Sequence, residues 1–176
     1  MRETFPIIYL SLLLILLGLA AWAIVRQVLR TRSTESRLTK LQSKLTKEKG
    51  TAQEYYELGS IYLQKKVFAQ AITLFQKALK TDEDLPEQES SLIYNALGYA
   101  YFGQEQYDLA IRQYKEALKL NPQYVVGLNN LGHAYERKQL SSQALEAYEQ
   151  ALAIEPENPT AKQRAESLRK RLIPSA

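Results

Sequence analysis

The strongest constraint on the fold of this 176-residue chain is an internal repeat. The segment LGYAYFGQEQYDLAI, which starts at Leu97, reappears as LGHAYERKQLSSQAL from Leu131. A third copy, LGSIYLQKKVFAQAI, precedes both and starts at Leu58. Self-similarity at a period of about 20–50 residues is typical of solenoids, in which each unit buries its apolar face against its neighbours. The repeat therefore predicts a stack of similar units.

Each copy has the spacing of two helices joined by a turn. The first copy has Tyr55, Leu58, Gly59 and Tyr62, then Ala71, Phe75 and Ala78. The second has Tyr94, Leu97, Gly98 and Tyr101, then Ala110, Tyr114, Ala117 and Pro122. The third has Leu128, Leu131, Gly132 and Tyr135, then Ala144, Tyr148, Ala151 and Pro156. This spacing matches the tetratricopeptide pattern, with Tyr or Leu in place of its Trp.

The repeated small and aromatic residues are interpreted as packing positions. Glycine inside a helix is less favourable than alanine by about 0.8–1.0 kcal/mol, so the glycines need a compensating role. We expect them to let paired helices approach closely, facing the alanines of the second helices, which are Ala71, Ala110 and Ala144. Seven tyrosines are expected to pack in the same way, at positions 55, 62, 94, 101, 114, 135 and 148.

Signals at the helix ends indicate the boundaries. Thr51 and Glu54 have the spacing of a capping box. The Asn-Pro pairs at 121–122 and 158–159 each predict an N-cap followed by proline at the first helical position. The extra residues after the first repeat lie in an acidic segment, residues 82–89, which is a second candidate contact surface. The predicted domain, residues 51–173, contains repeats at 52–85, 91–124 and 125–158 and a capping helix at 159–173.

Residues 1–29 are predicted to be a transmembrane anchor. Residues 7–25, IIYLSLLLILLGLAAWAIV, contain no charge and as a helix span about 28 Å, close to a bilayer core. Tyr9 and Trp22 lie near the two ends, where their rings favour the interface. Residues 30–50 follow as a basic stalk. The predicted fold is all-α: a transmembrane helix, a right-handed α-solenoid of three tetratricopeptide repeats, and a C-terminal capping helix.

The charges predict how this anchor is oriented. Residues 1–50 carry nine Lys or Arg against three Asp or Glu, whereas residues 51–176 carry 14 against 16. By the positive-inside rule, the side after the span stays in the cytoplasm or its equivalent and the N-terminus lies outside. A cleavable signal peptide is the alternative, because Ala-Trp-Ala at 21–23 offers a cleavage pattern. The basic stalk suits either a solvated spacer or anionic lipid headgroups.

The first helices of the repeats are expected to line a concave protein-binding groove. The register places there Gln53, Tyr56, Ser60, Leu63, Asn95, Tyr99, Phe102, Asn129, His133, Glu136 and Arg137. None has an evident packing duty, and Tyr, Phe and Arg are enriched at binding hot spots. Co-chaperone tetratricopeptide domains hold a C-terminal carboxylate with Lys, Asn and Arg. That clamp is missing, because the corresponding positions hold Tyr56, Ser60, Ala96, Val126 and Asn130.

No catalytic, metal or cofactor site is predicted. The chain has no cysteine, which excludes disulfides and thiolate metal sites. Its single histidine, His133, has no second histidine beside it and belongs to no recognisable nucleophilic triad. A glycine-rich phosphate loop is also absent from the sequence. We expect a protein-binding module without a cofactor or a nucleic-acid partner, whose basic capping helix presents a solvated face.

The order of anchor, basic stalk and repeats resembles that of one family over nearly the whole chain. The resemblance is carried by the anchor segment SLLLILLGLAAWAIVRQVLR and by the first repeat, YYELGSIYLQKKVFAQAITLFQKALK, with two more repeats after it. The chain resembles the hypothetical chloroplast frame thirty-seven family of cyanobacterial and algal plastid thylakoids, which assists photosystem I assembly or stability. The resemblance implies a single-pass thylakoid protein with cytoplasmic or stromal repeats and a photosystem I subunit or assembly intermediate as partner. The residues leave open a translocated, periplasmic-side adaptor in envelope biogenesis or stress response.

Overall fold

The computed structural model describes residues 4–81 and 84–172, and all regular elements in this part of the chain are α-helices. They are α1 Thr4–Lys47, α2 Ala52–Gln64, α3 Phe68–Thr81, α4 Glu87–Gly103, α5 Tyr107–Leu120, α6 Val125–Arg137, α7 Ser141–Ile154 and α8 Pro159–Leu172. The expected all-α fold is confirmed. The chain divides into two compact units, Met1–Lys47 and Glu48–Ala176.

The first unit consists of α1. Its apolar part is long enough, by length and composition, to cross a membrane, and the large apolar side chains described between Leu12 and Leu29 are exposed. The helix continues without a break from the predicted anchor through most of the predicted stalk. Shortly before the stalk, the Arg26 guanidinium lies 5.3 Å from the ring centroid of Trp22.

The second unit contains the repeats. Helices α2 and α3, α4 and α5, and α6 and α7 pack as pairs, and successive pairs contact through α3 with α4 and α5 with α6. Helix α8 packs on α7 and buries Ala161, Ala165 and Leu168 completely, as expected of a capping helix. Residue 173 of the predicted capping helix lies outside the described residues, as do Asp82 and Glu83 of the acidic segment.

The repeat glycines are buried at the helix crossings, but their nearest neighbours differ from those expected. We expected them to face Ala71, Ala110 and Ala144, which are themselves fully buried. The atoms closest to an added Cβ belong instead to the aromatic ring four residues after each alanine. Helical side chains point toward the N-terminus of their own helix, so each ring reaches back over the alanine. The pairs, with the closest ring atom 2.7–2.8 Å from such a Cβ, are Gly59 with Phe75, Gly98 with Tyr114 and Gly132 with Tyr148.

The expected packing of the seven repeat tyrosines agrees with their burial. Tyr55, Tyr114, Tyr135 and Tyr148 are buried, and the tyrosines at 62, 94 and 101 are half-buried. Burial raises the pKa of the Tyr114 phenol above its ordinary value, because the phenolate would lose its hydration. These side chains therefore fill the interior of the stack.

Two of the three predicted helix starts are confirmed. The backbone N–H of Glu54 donates to the Thr51 hydroxyl at 3.2 Å, and the N–H of Thr51 donates to the Glu54 carboxylate at 3.1 Å. Helix α8 begins at Pro159, and Asn158 Oδ1 accepts the N–H of Ala161 at 3.0 Å. Both side chains satisfy backbone donors that a helix N-terminus leaves unpaired.

The predicted start at Asn121–Pro122 is wrong, because α6 begins at Val125. The N–H of Asn121 bonds the carbonyl of Ala117 at the end of α5, and the carbonyl of Asn121 accepts the N–H of Tyr124 at 3.2 Å. Asparagine followed by proline is also a favoured opening of a β-turn. Here the pair forms a turn between two helices rather than a helix cap.

Candidate protein-binding groove

The eleven residues predicted to line the groove all lie on the first helices, α2, α4 and α6. Gln53, Tyr99, His133 and Arg137 are exposed, and the other seven are half-buried. Tyr99 keeps 50% of its surface accessible, and Val126 at the start of α6 keeps 53%. Gln53, Tyr56, Ser60 and Leu63 lie on α2, whereas most of the members on α4 and α6 belong to two clusters of contacts.

The first cluster is a network of side-chain amides between neighbouring first helices. Asn95 Nδ2 donates to the Tyr124 hydroxyl at 3.2 Å, and Asn130 Nδ2 donates to Asn95 Oδ1 at 2.9 Å. Asn129 Nδ2 donates in turn to Asn158 Oδ1, the cap of α8, at 3.2 Å. The expectation that Asn95 and Asn129 lack a packing duty is therefore wrong, because the Asn95 amide joins two successive repeats and the Asn129 amide joins α6 to the start of α8.

The second cluster brings aromatic rings and a guanidinium together near the ends of α4 and α6. The rings of Phe102 and His133 lie 4.8 Å apart, and Phe102 meets Tyr107 edge-on at 5.3 Å. The Arg137 guanidinium lies 4.9 Å from the ring centroid of Tyr107 and 5.9 Å from that of Phe102. Its nearest carboxylate is the exposed Glu105 at 3.9 Å, a pair that contributes little to stability. Arg137 thus lies beside two aromatic rings, and its side chain stays about half exposed, at 48%.

Glu136 lies at the centre of the charged groups and is not free. Its side chain is only 13% exposed. The Tyr148 hydroxyl donates to Oε1 at 2.7 Å, and Arg164 Nη1 and Arg171 Nη2 each lie 3.6 Å from Oε2. Glu136 was expected to have no packing duty, but it joins α6 to α7 and α8. Burial, followed by the bond to Glu136, raises the pKa of Tyr148.

Burial and the neighbouring charges together lower the pKa of the His133 imidazole below its ordinary value. Desolvation lowers its pKa most, and the positive charges of Arg164 and Arg137 lower it further, while Glu136 opposes them. Three arginines face two carboxylates here, the largely buried Glu136 and the exposed Glu105, so this end of the groove has an excess of positive charge. The third arginine is Arg171.

The predicted set of groove residues leaves out several members of these clusters, among them Tyr107, Tyr124, Asn130, Arg164 and Arg171. Tyr124 follows the Asn-Pro turn, and burial and then the nearby Tyr56 raise its pKa. Arg171 stands one repeat period after Arg137, so the repeat register extends into α8 and could have identified it. The basic residues of α8 were assigned to a solvated face, yet two of them contact Glu136.

Comparison with known sequences identifies the family. Two models of the tetratricopeptide repeat match residues 50–123 and 95–160. The uncharacterized protein ycf37 of Cyanophora paradoxa is 38% identical over 127 residues, which cover 72% of this chain and 72% of that protein. The ycf37 protein of Guillardia theta is 36% identical over 71% of this chain and 70% of its own length. The chloroplastic tetratricopeptide protein PYG7 of Arabidopsis thaliana is 38% identical over 69% of this chain and 40% of its own length.

Solved structures share the fold. MamA superposes with a TM-score of 0.73 at 24% identity, covering 81% of this chain and 81% of its own. The first tetratricopeptide domain of Spaghetti (RPAP3), bound to the HSP90 peptide SRMEEVD, has a TM-score of 0.63 at 24% identity and covers 69% of this chain and 92% of its own. At such identities the likeness shows the fold alone. With the matched repeats and the two algal relatives at 38% and 36% identity, the chain is a tetratricopeptide-repeat protein and belongs to the ycf37 family.

Proposed function

We propose that this protein is a membrane-anchored scaffold that binds a protein client and acts in the assembly or stability of photosystem I. The observation that carries the binding role is the accessible face on the first helices, with Tyr99 and Arg137 exposed among aromatic neighbours. Tetratricopeptide stacks bind partners on such concave surfaces. The proposed role in photosystem I assembly is based on the family resemblance, and the chloroplastic relative from Arabidopsis thaliana supports a plastid-type location.

The proposed anchor is the N-terminal part of α1, and the proposed location is the thylakoid membrane. The uncharged residues 7–25 match a bilayer core, and the positive charges that follow favour repeats on the cytoplasmic or stromal side. A tethered groove meets membrane-bound clients at a high effective concentration, so that modest affinity is sufficient. The proposed role is therefore capture and positioning of a subunit or assembly intermediate rather than catalysis.

Affinity purification from gently solubilised thylakoid membranes tests the client. We expect photosystem I subunits to co-purify with the full chain and to be lost when Tyr56, Tyr99 and Arg137 are all changed to Ala. The matched control changes two exposed apolar residues and one exposed arginine on the second helices, which are Leu109, Arg112 and Ile154. Circular dichroism checks that both triple variants stay folded. Capture unaffected by the groove variant would move the contact to the acidic segment or to the second helices. Absence of photosystem I subunits would refute the assembly role.

The alternative function is a translocated adaptor on the periplasmic side. It is suggested by the Ala-Trp-Ala pattern at 21–23, which is typical of a signal-peptide cleavage site. Protease added to sealed, oriented vesicles separates the two possibilities. The proposed orientation predicts that the repeats are digested only from the cytoplasmic or stromal face. A reporter fused after Ala176 should be active only if it is a cytosolic one, and activity of a translocated reporter would support the adaptor.

A further inference from the structure

The groove is divided by chemistry along the stack. Over α2 and α4 its accessible side chains are mainly aromatic or apolar: Tyr56, Leu63, Tyr99 and Phe102. Over α6 and α8 they are cationic: Arg137, Arg164 and Arg171, with side chains between 46% and 58% exposed. One end of the groove therefore offers apolar contact, and the other offers guanidinium groups.

The arginines at the cationic end have unused hydrogen-bonding capacity. Arg164 and Arg171 share a single oxygen of Glu136 at 3.6 Å each, which is longer than the roughly 2.7–2.9 Å of a charge-assisted hydrogen bond. In the part of the chain that the structure describes, Arg137 approaches a carboxylate no closer than 3.9 Å. By contrast, Arg169 on α8 donates twice to Glu149, at 2.7 and 3.1 Å. Arg171 Nε also donates to the Ser167 carbonyl at 3.4 Å. Among the described residues, the three groove arginines are therefore less fully paired than Arg169.

We propose that the cationic end of the groove binds an acidic segment of the client, with side-chain carboxylates of Asp or Glu on Arg137, Arg164 and Arg171 and apolar neighbours over Phe102 and Tyr99. This inference rests on the proposed function and names the chemistry of the client segment. Guanidinium and carboxylate fit as planar, bidentate partners, which favours Arg over a point charge at such a site. In the free protein Glu136 is the built-in carboxylate with which the client competes.

Charge favours an acidic peptide over a nucleic acid. Residues 51–176 carry 14 basic against 16 acidic residues, a net charge of −2, so the repeats lack the broad basic footprint that binds phosphate backbones. The positive charge is concentrated around the largely buried Glu136, with the exposed Glu105 at its edge, and beside the tilted rings of Phe102 and His133. Such a local site suits a few carboxylates next to apolar residues.

The test uses the full chain in phosphatidylcholine nanodiscs and fluorescence anisotropy. The probe is a 12-residue peptide with one Phe, two Leu and five Glu, acetylated and amidated so that only side chains carry charge; a matched peptide has Lys in place of Glu. We expect the acidic probe to bind at least about tenfold more tightly, and Arg137→Gln and Arg164→Gln each to weaken it about fivefold or more. Arg169→Gln, with the same charge loss on α8, should leave the affinity within about twofold, because its guanidinium is already paired.

Glu136→Gln gives the sharpest readout. It releases Arg164 and Arg171, so the acidic probe should bind several-fold more tightly, whereas a merely structural Glu136 would give unchanged or weaker binding. Arg137 does not contact Glu136 in the charged cluster, so Arg137→Gln remains informative if the Glu136 variant fails to fold. No preference for the acidic probe at 50 mM salt, or equal losses from Arg137→Gln and Arg169→Gln, would overturn the proposal.

Three further measurements show which kind of negatively charged group the site binds and separate this proposal from the photosystem I role. Polyuridylate or phosphatidylglycerol vesicles that displace the acidic probe at equal charge concentration would assign the site to phosphate instead. A version of the probe with Gln in place of Glu and a free C-terminus that binds as well would assign it to a chain end. Retained selectivity for the acidic probe without co-purified photosystem I subunits would refute the assembly role and leave this inference standing.

Discussion

Replacing Gly98 by Ala tests the packing on which the groove depends. An added Cβ would lie 2.7 Å from two ring atoms of Tyr114 and 3.2 Å from the carbonyl oxygen of Ala110. The Tyr114 ring is almost completely buried, and the oxygen belongs to the backbone of α5, so neither neighbour can withdraw into solvent. The methyl group must therefore push α4 and α5 apart or force the ring off its rotamer.

Two opposing effects set the magnitude. Alanine is more favourable than glycine in a helix by about 0.8–1.0 kcal/mol, whereas overpacking a filled site typically costs about 1–3 kcal/mol. We expect Gly98→Ala to lower the free energy of unfolding by about 1 kcal/mol, or the melting temperature by about 4 °C for a domain of this size. Gly98→Leu should have a larger effect, since its extra atoms enter the same space.

Thermal and urea unfolding of a fragment containing residues 48–176 measures the change, and a double-mutant cycle with Tyr114→Leu assigns its cause. Leucine is shorter, so Gly98→Ala should cost less in the Tyr114→Leu background, with a coupling energy of about 0.5 kcal/mol or more. The reasoning is refuted if Gly98→Ala stabilises the fragment by the full helix-propensity difference in both backgrounds.

Three smaller effects follow from single residues. Glu105 has φ of 60°, a left-handed conformation that side chains disfavour, so Glu105→Gly should raise the free energy of unfolding by about 0.5–1 kcal/mol in urea titrations. The buried Ser91 hydroxyl donates to the Ala117 carbonyl at 2.9 Å, and Ser91→Ala should cost about 1 kcal/mol in the same assay. Folding lowers the pKa of the His133 imidazole below its ordinary value of 6.5, so the unfolded chain binds a proton there more readily than the folded chain. The contribution of His133 to the free energy of unfolding is therefore complete above about pH 6.5 and is lost as the pH falls below it. His133→Gln should therefore flatten the decline in stability between about pH 7 and 5, and parallel curves for the two proteins would contradict this.

The repeat architecture was predictable because its signals are local and redundant. Three copies of one pattern specify the helix pairs, and Thr51 with Glu54 caps a helix through contacts only three residues apart. The Asn-Pro pairs were ambiguous, since the same dipeptide opens a turn before α6 and caps α8. What separates them is the turn bond from Tyr124 to Asn121, which depends on how Tyr124 packs.

The contacts within the groove were less predictable, because they depend on rotamers and on neighbouring repeats. Sequence register places Asn95 and Asn130 on adjacent first helices, but not the hydrogen bond that joins them. The glycine contacts were predicted only in part for a similar reason. The alanines are buried at the crossings, and the Ala110 carbonyl oxygen lies 3.2 Å from a Cβ added at Gly98, but the aromatic side chains point back and supply the closest atoms. The sequence therefore predicted which helix and which face a residue lies on better than it predicted the atoms that the residue contacts.

Under the proposed client-binding role, the capping helix is part of the binding surface as well as a cover for the last repeat. Its apolar side, Ala161, Ala165 and Leu168, is fully buried, which accounts for its packing on α7. Arg164 and Arg171 instead reach Glu136 on α6, on the side where the first helices meet. A helix needed only to cover apolar surface would gain nothing from two arginines that share one carboxylate oxygen at 3.6 Å, because such partly exposed pairs contribute little stability. The placement of Arg164 and Arg171 is explained if their remaining N–H donors bind a ligand that carries more negative charge than Glu136 alone.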